Sequence, residues 1–417
     1  MSQQLLLERA ALASASASVS TGDFLNDVQG FADFGTQTLV THNNGTTYGI
    51  AYFVNEFWTA RQRQAHRLHE VSYRACFKPQ LPAFFVERLT ELGDIVFDPF
   101  MGRGTTPIEA ALRGRIPYGN DINPLSRALA EPRINAPTLE QINERLAEIP
   151  WRDFHTFENP ELLEFYHPTV LAHIEGLRAW FLERQATGLF DKADCWIRMV
   201  ALNRLTGHST GFFSVYTLPP NQAVSVERQR KINEKRNQTP PVRDVPGIIA
   251  KKSRNLLSQG SIETPRSLFT TCESHNVSDI ADNTVALTVT SPPFLDIVNY
   301  EADNWLRCWF IGVDPSNVKI TCHRNLQDWQ NFIATTLREL ARITRPCGHI
   351  AFEVGEVRNG TVRLEENVIA AAQGLPLQTL GVMINQQDFT KTSNCWGIEN
   401  NSNGTNTNRI VIFQKHP

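Results

Sequence analysis

Asp94-Ile95-Val96-Phe97-Asp98-Pro99-Phe100-Met101-Gly102-Arg103-Gly104-Thr105-Thr106 is the stretch from which the fold is read. Ile95 to Phe97 is a short apolar, β-rich run closed by an acid, and it predicts a buried strand. Gly102 and Gly104 let the backbone turn sharply and approach a ligand, and a helical pattern from Pro107 to Arg113 starts directly behind two threonines. Strand, glycine turn and helix in that order aim backbone amides and a helix start at an anion. A second short strand, from Pro117 to Asn120, ends in Asp121, an acid placed to take both hydroxyls of a ribose. The unit lacks the spacing of a dinucleotide fingerprint. It is not a Walker loop either, because no Gly-Lys-Ser/Thr follows the glycines.

Much further along, the β-branched run Thr284 to Val289 leads into Thr290-Ser291-Pro292-Pro293-Phe294. The run predicts another buried strand, and the two prolines end it abruptly. Without amide hydrogens, the proline pair fixes the direction of its carbonyls and of the Ser291 hydroxyl at a carboxyl strand end, where open α/β sheets bind ligands. Read as chemistry, this suits an exocyclic base amine, a poor nucleophile with two hydrogens to donate. The Ser291 side chain and the Pro292 carbonyl accept them, and Phe294 stacks on the base. Alone, the five residues read as a strand-terminating loop with a buried phenylalanine. The glycine stretch upstream changes the balance.

Together, Asp98 to Thr106 and Thr290 to Phe294 resemble the S-adenosylmethionine-dependent DNA methyltransferases that modify exocyclic amines. The first stretch matches that family's cofactor loop and the second its catalytic motif, over blocks spanning roughly 69–125 and 265–415. The resemblance implies an α/β fold: a doubly wound, mostly parallel, seven-stranded Rossmann-like methyltransferase sheet with an antiparallel edge strand. It implies S-adenosyl-L-methionine as cofactor and Ser291, Pro292, Pro293 and Phe294 as the catalytic residues. By the same resemblance, Asp98, Phe100, Gly102, Gly104, Thr105 and Thr106 hold the cofactor. Phe77, Lys78 and Pro79 close over its methionine end, and Asp121 meets its ribose. Glu273, closing the short strand from Ser267, meets its adenine amine where Asp is commoner. A serine heading the Pro-Pro motif is typical of cytosine-N4 enzymes, whereas adenine-N6 enzymes more often carry Asp or Asn. The expected product is therefore N4-methylcytosine in duplex DNA, made on a base rotated out of the stack. Adenine-N6 is the alternative.

The chain has 417 residues, a net charge of −3 and average apolar and charged fractions. It is long enough for two or three domains, or for one large domain with an insert, and its overall charge does not announce a nucleic-acid binder. The seven cysteines are scattered without a Cys-x-x-Cys pair, which points to free thiols in a reducing, cytoplasmic setting and away from a disulfide framework or structural zinc. His66 and His69 read as a solvated polar face rather than a metal site, and no metal is expected. No apolar run is long enough to span a bilayer. The Leu5-Leu6-Leu7 start and the Ala/Ser tract to Ser20 lack a basic segment before a long apolar core, so residues 1–36 read as a mobile low-complexity arm.

Residues 37–137 and 261–417 are expected to form the catalytic domain, with 138–260 a helical and basic insert. Thr138-Leu139-Glu140-Gln141 is a capping-box start, and helical periodicity runs through Pro160 to Gln185 and Asp191 to Thr206. Farther on, Arg228, Arg230, Lys231, Lys235, Arg236, Arg243, Lys251, Lys252 and Arg254 are answered only by Glu234 and Asp244. A run of this kind is usually a solvated helix and linker. Beside a base-modifying site it suggests phosphate contacts and target recognition. From Leu380 to Lys415 a closing pair of strands is expected around a polar loop. There Phe389, Lys391, Trp396 and Asn401 either line the base pocket or, for the asparagines, serve turns.

One competing chemistry is cytosine-C5 transfer through Cys347, assisted by Glu366-Asn367-Val368. Cys347 lies in a helix-to-strand turn after the Pro-Pro motif, whereas a C5 nucleophile belongs where Ser291 stands, so both are read as coincidence. An RNA amine methyltransferase and a non-catalytic DNA-binding protein are the further alternatives. A restriction endonuclease acting separately is a conceivable partner.

Overall fold

A computed structural model describes residues 21–42, 49–59, 65–73, 76–151, 156–217, 223–293, 300–318, 323, 325–355, 362–386 and 407–417. Among these, nine strands form one sheet: β1 (Leu39–His42), β2 (Ala51–Asn55), β3 (Ile95–Asp98), β4 (Ile116–Asn120), β5 (Leu268–Thr270), β6 (Val285–Thr290), β7 (Thr344–Val354), β8 (Leu377–Gln386) and β9 (Thr407–Lys415). Their order is β1-β2-β8-β9-β7-β6-β3-β4-β5. Strands β3 to β7 pair in parallel, and β9 runs antiparallel between β7 and β8. The expected strands at 94–98, 117–120, 284–289 and 348–353 and the closing pair are all present. The expected seven are β3 to β9. Before the glycine loop, where the turn signals and aromatic residues of Thr38 to Glu70 suggest a strand or two, the chain supplies β2 parallel to β8 and β1 antiparallel to β2 at the edge.

Alternation explains the two-sided burial. On β7 Ile350, Phe352 and Val354 face one core, together with Trp329, Ile333, Leu337 and Leu340 of the Leu326–Ile343 helix. Ala351 faces the other, with Phe84, Phe85, Val86 and Leu89 of the Gln80–Leu89 helix. Helices on both faces allow β3 and β6 to be buried along their whole length. At roughly 1.5–3 kcal/mol for each large apolar side chain, this burial is the main term holding the sheet.

The amino-terminal segment departs from the arm expected over 1–36. Residues Thr21–Gly30 form a helix whose Phe24 and Val28, followed by Phe31, enter the cluster of Phe57, Trp58, Phe84 and Phe85. Hydrophobic spacing four and then three residues apart is the reason it docks. Residues 1–20 lie outside the described residues.

The helical segment between β4 and β5 begins at the predicted capping box, Thr138 with Gln141. Its Ile174, Leu177, Phe181, Trp196 and Val200 share one apolar core with Ile108 and Leu129 beside the glycine loop and with Leu306 and Phe310 after the Pro-Pro motif. Through that shared core the segment is packed between the two loops of interest. Among the described residues no helix is long and apolar enough to cross a membrane. No group of three or more metal-ligating side chains converges there, and the five described cysteines are free.

Candidate active site

Strands β3 and β6 are neighbours, with Val96 opposite Leu287 and Phe97 opposite Thr288. Their carboxyl ends therefore emerge side by side, and two hydrogen bonds join the loops that follow. The Thr290 hydroxyl donates to Asp98 Oδ1 over 2.6 Å, and the Thr106 hydroxyl donates to the Val289 carbonyl over 3.0 Å. Residues 192 positions apart are thus in direct contact. Asp98 also takes the Phe100 amide at 3.0 Å, and burial pushes its carboxyl up to about 7 against the pull of these two donors.

The glycine loop is held by hydrogen bonds within the chain. The Gly102 amide donates to Asp121 Oδ2 and the Asn123 amide to Asp121 Oδ1, each over 2.9 Å. Burial raises the Asp121 pKa, and these amides counter it. Gly102 and Gly104 stand at φ +50° and +80°, in the left-handed region. A Cβ on Gly104 would lie 2.6 Å from that of Ala130. Neither threonine hydroxyl faces outward: Thr106 holds β6, and Thr105 accepts from Arg103 Nε over 3.2 Å. Both hydroxyls thus take part in bonds that hold the loop.

Asn120, fully buried at the end of β4, ties three strand ends together. Its side chain donates to the Pro99 and Cys272 carbonyls and accepts from the Thr270 hydroxyl and the Cys272 amide. Glu273 follows this knot, half-buried beyond β5. On the opposite wall, Tyr73 and Cys76 come within 3.5 and 3.6 Å of where a Gly102 Cβ would be. Phe77 is half-buried against the aromatic cluster, Lys78 is exposed, and Pro79 opens the Gln80–Leu89 helix. The Phe100 ring meets that of Phe332 at 5.7 Å. The Gly102–Gly104 bend thus lies against Tyr73 and Cys76, with Asp98 at the end of β3 and Asp121 just after β4.

On the amine side, Pro292 is buried and Ser291 half-buried. The Pro293 carbonyl accepts from the indole of the buried Trp329 over 2.9 Å, which fixes the motif against the Leu326–Ile343 helix. The neighbouring strand contributes what the sequence reading did not select. Thr290 pairs with Phe352, so the next residue of β7, Glu353, comes beside Ser291. Glu353 is buried, hydrogen-bonded to the Ser291 side chain, and accepts from Asn408 Nδ2 over 2.9 Å. Burial raises its pKa, and these two hydrogen bonds pull it back. The clue was available: Glu353 closes an apolar strand run with an acid, as Asp98 and Asp121 do. Phe294, Phe389, Lys391, Trp396 and Asn401 lie outside the described residues.

The competing thiol is placed apart. Cys347 is exposed, at φ +59°, near the amino end of β7 and before His349, which pairs with Leu287. Ser291 lies beyond the opposite end of that pairing, and Glu366 to Val368 sit within the Leu364–Ala371 helix. His69, expected on a solvated face, is instead buried, with Nε2 2.5 Å from Glu109.

The basic residues divide into two groups. Arg230 pairs with Glu164 at 2.8 Å, Lys252 with Glu70 at 2.7 Å, and the Arg236 guanidinium lies 3.8 Å over the Tyr216 ring. Arg228, Lys231, Lys235, Lys251 and Arg254 are exposed and form no ion pair among the described residues. The start of the Val226–Arg236 helix is pinned near the amine side, where the Ala223 amide donates to the Asp303 carbonyl and the Trp305 indole to that of Val224.

Fold and site define a doubly wound α/β protein with a glycine loop and a Pro-Pro loop at adjoining strand ends. Residues 38–131, under a quarter of the chain, match the family described as DNA methylase, N6_N4_Mtase. By that match the chain is related to the amino-group DNA methyltransferases, with the N4 and N6 types not separated. It is 33% identical over 89 residues to the Type II methyltransferase M.MjaII of Methanocaldococcus jannaschii, covering 21% of this chain and 16% of that protein. M.MvaI of Kocuria varians is 29% identical over 96 residues, 22% of this chain and 21% of the other. M.MthZI of Methanothermobacter thermautotrophicus is 34% identical over 93 residues, 22% and 26%. The chain thus spans about a sixth to a quarter of the length of these relatives. Among solved structures, TrmN from Thermus thermophilus aligns with a TM-score of 0.31 at 11% identity, over 82% of this chain and 50% of that one. A SAM-dependent methyltransferase from Methanosarcina mazei aligns with a TM-score of 0.32 at 9% identity, over 80% and 97%.

Proposed function

We propose that this protein is an S-adenosylmethionine-dependent DNA methyltransferase that methylates the N4 amine of a cytosine rotated out of the duplex. The observation that carries the reading is the pair of hydrogen bonds, Thr290 to Asp98 and Thr106 to Val289, which sets the two loops edge to edge. When bound, the cofactor supplies an electrophilic methyl carbon on a sulfonium centre. Asp121 takes the ribose hydroxyls, and the Gly102–Gly104 bend lets the backbone close on the chain beyond them. The Ser291 hydroxyl and the Pro292 carbonyl accept the two amine hydrogens, which draws electron density onto nitrogen as it attacks.

Glu353 gives this arrangement its direction. A hydroxyl has one hydrogen, and a serine that must accept from the amine needs that hydrogen committed elsewhere. The Glu353 carboxylate takes it, so the Ser291 lone pairs face the base. As the N–C bond forms, the amine proton passes to Ser291 Oγ while the serine proton passes to Glu353. Much of the remaining acceleration is positional. Duplex DNA is held through phosphate contacts by the exposed Arg228, Lys231, Lys235, Lys251 and Arg254. The serine at the head of the motif supports cytosine-N4 over adenine-N6.

The test is incubation with labelled cofactor and unmethylated duplex DNA, followed by mass spectrometry of the nucleosides. N4-methylcytosine is expected. N6-methyladenine alone would overturn the base assignment and leave the reaction class standing. 5-Methylcytosine would move the chemistry to a cysteine, and no transfer to DNA would sink the reading.

A further inference from the structure

Arg133 takes no part in the chemistry above, yet it is the largest buried charge behind the glycine loop. It ends the Glu131–Arg133 turn with no exposed surface, and each of its hydrogen bonds goes to a main-chain carbonyl. Nε donates to Leu129 over 3.0 Å, Nη1 to Leu68 over 2.8 Å, and Nη2 to Arg103. No carboxylate pairs with it among the described residues. Burial, reinforced by the neighbouring Arg103 guanidinium, pulls its pKa down to about 9. A desolvated cation without a counter-ion is a poor way to fill space, since an aliphatic chain of similar size packs at lower cost. What the guanidinium adds is a rigid planar fork whose donors reach three carbonyls at once.

The carbonyls it reaches belong to parts that have to be held in register. Arg103 is the middle of the Gly102–Gly104 bend, and Leu68 lies in the Arg67–His69 turn of the 65–73 segment that precedes Cys76 and Phe77. Arg103 doubles the tie, its Nη1 donating to the carbonyls of Val71 at 3.0 Å and His69 at 3.4 Å. Tyr73 and Cys76 stand 3.5 and 3.6 Å from a Gly102 Cβ position, so the pinned segment lies directly against the bend.

We propose that Arg133 is a positioning residue for the cofactor: by clamping the glycine bend to the Leu68–Tyr73 segment it holds the bend in the shape that receives the cofactor and so sets cofactor affinity. The inference rests on the S-adenosylmethionine reading of that bend. It is tested by calorimetric titration of S-adenosylmethionine into the full chain and into Arg133→Met and Arg133→Lys, with circular dichroism to check folding. The Met variant is expected to bind about tenfold more weakly, and the Lys variant to fall between because one ammonium cannot span three carbonyls. The KM for cofactor should rise in step, while kcat at saturating cofactor stays within about threefold of the parent. A folded Met variant with parental affinity overturns the proposal, and so does a fall in kcat as large as the loss of affinity. Should that variant not fold, Arg103→Gln cuts the parallel tie to Val71 and His69, and about threefold weaker cofactor binding is expected. Parental affinity there also overturns it. If the unmodified protein binds no S-adenosylmethionine, the cofactor reading fails. The clamp then stands or falls on amide exchange, which should quicken over 65–73 in Arg133→Met.

Discussion

The loops after β3 and β6 leave the same edge of the sheet and solve opposite problems. The first obtains its shape from backbone freedom: two glycines in the left-handed region, with the Gly102 amide on Asp121 and the Gly104 amide on the Met101 carbonyl. The second obtains it from backbone stiffness: two prolines, one carbonyl fixed by Trp329, and a serine held from the side by Glu353. A loop that must wrap a ligand is built from residues with the fewest steric limits. A loop that must aim two acceptors at one nitrogen is built from residues with the most. On the proposed reading, the difference between the loops is the difference between binding a substrate and orienting a reacting atom.

The largest effect is expected on the stiff side. Glu353→Gln preserves shape and hydrogen-bonding reach but cannot receive a proton, and kcat should fall by about 10²-fold or more with the KM for cofactor little changed. Burial raises the Glu353 pKa, and the carboxylate is the active form. Activity in the parent should therefore be lost as pH falls through a value above the ordinary carboxylate range, and a kcat-against-pH profile reads that limb directly. An acid limb in the normal carboxylate range, or a Gln variant with parental kcat, would break the assignment of the two loops to separate tasks.

On the permissive side the expected damage is to the structure and to binding. Gly104→Ala forces a residue with a Cβ into φ +80° and against Ala130 at 2.6 Å, and should destabilise by about 1–3 kcal/mol. Pro293→Ala leaves the carbonyl bonded to Trp329 and should shift stability by less than about 1 kcal/mol, through the unfolded chain alone. Urea midpoints of the two variants sharpen the contrast. If the proline change proved the more damaging, stiffness would matter to folding as well as to aim.

The sheet was legible because its strands are short apolar runs closed by acids or prolines, and local pattern sufficed for β3, β4, β6 and β7. The added hairpin and the Thr21–Gly30 helix were weaker signals, because their burial depends on Phe57, Trp58 and Phe84, which no local window links to Phe24. In the candidate site, the motifs pointed to the glycine and Pro-Pro loops, whereas residues that reach those loops from neighbouring elements carry no motif of their own. Glu353 and Trp329 matter only because β7 and the Leu326–Ile343 helix lie against the Pro-Pro motif. Asn120 and Arg133 matter because they bond to carbonyls, and carbonyls leave no trace in residue type. Nine basic residues looked equivalent in the sequence. Their partners, Glu164 and Glu70 among them, lie far away in the chain.

A third prediction concerns the junction between the loops. Asp98 is pushed up to about 7 from 3.8, so between those values the folded protein holds a proton that the unfolded chain has released. The unfolded state then binds fewer protons, and the Asp98 contribution to stability falls as pH rises from about 4 to about 7. Asp98→Asn keeps an oxygen for the Thr290 hydroxyl and the Phe100 amide but cannot titrate. Its thermal midpoint should vary less over that window than the parent's, and an unchanged slope would show that Asp98 ionises normally when folded.

The smallest effect separates cations that read alike in the sequence. Lys231 lies on the solvent side of the Val226–Arg236 helix, on one stripe with Arg228 and Lys235, opposite the face where Gln229 and Asn233 bond to Tyr216 and Glu164. Arg230 is held by Glu164 and turns toward the protein. Each phosphate contact contributes about 0.9 to the slope of log affinity against log salt for duplex DNA, so Lys231→Gln should lower that slope by roughly one. Arg230→Gln should leave the slope unchanged and show only a small loss of stability, as expected for a solvent-exposed ion pair. Equal slopes in both variants would mean that duplex DNA lies elsewhere, since two adjacent charges on one helix differ only in the direction they face.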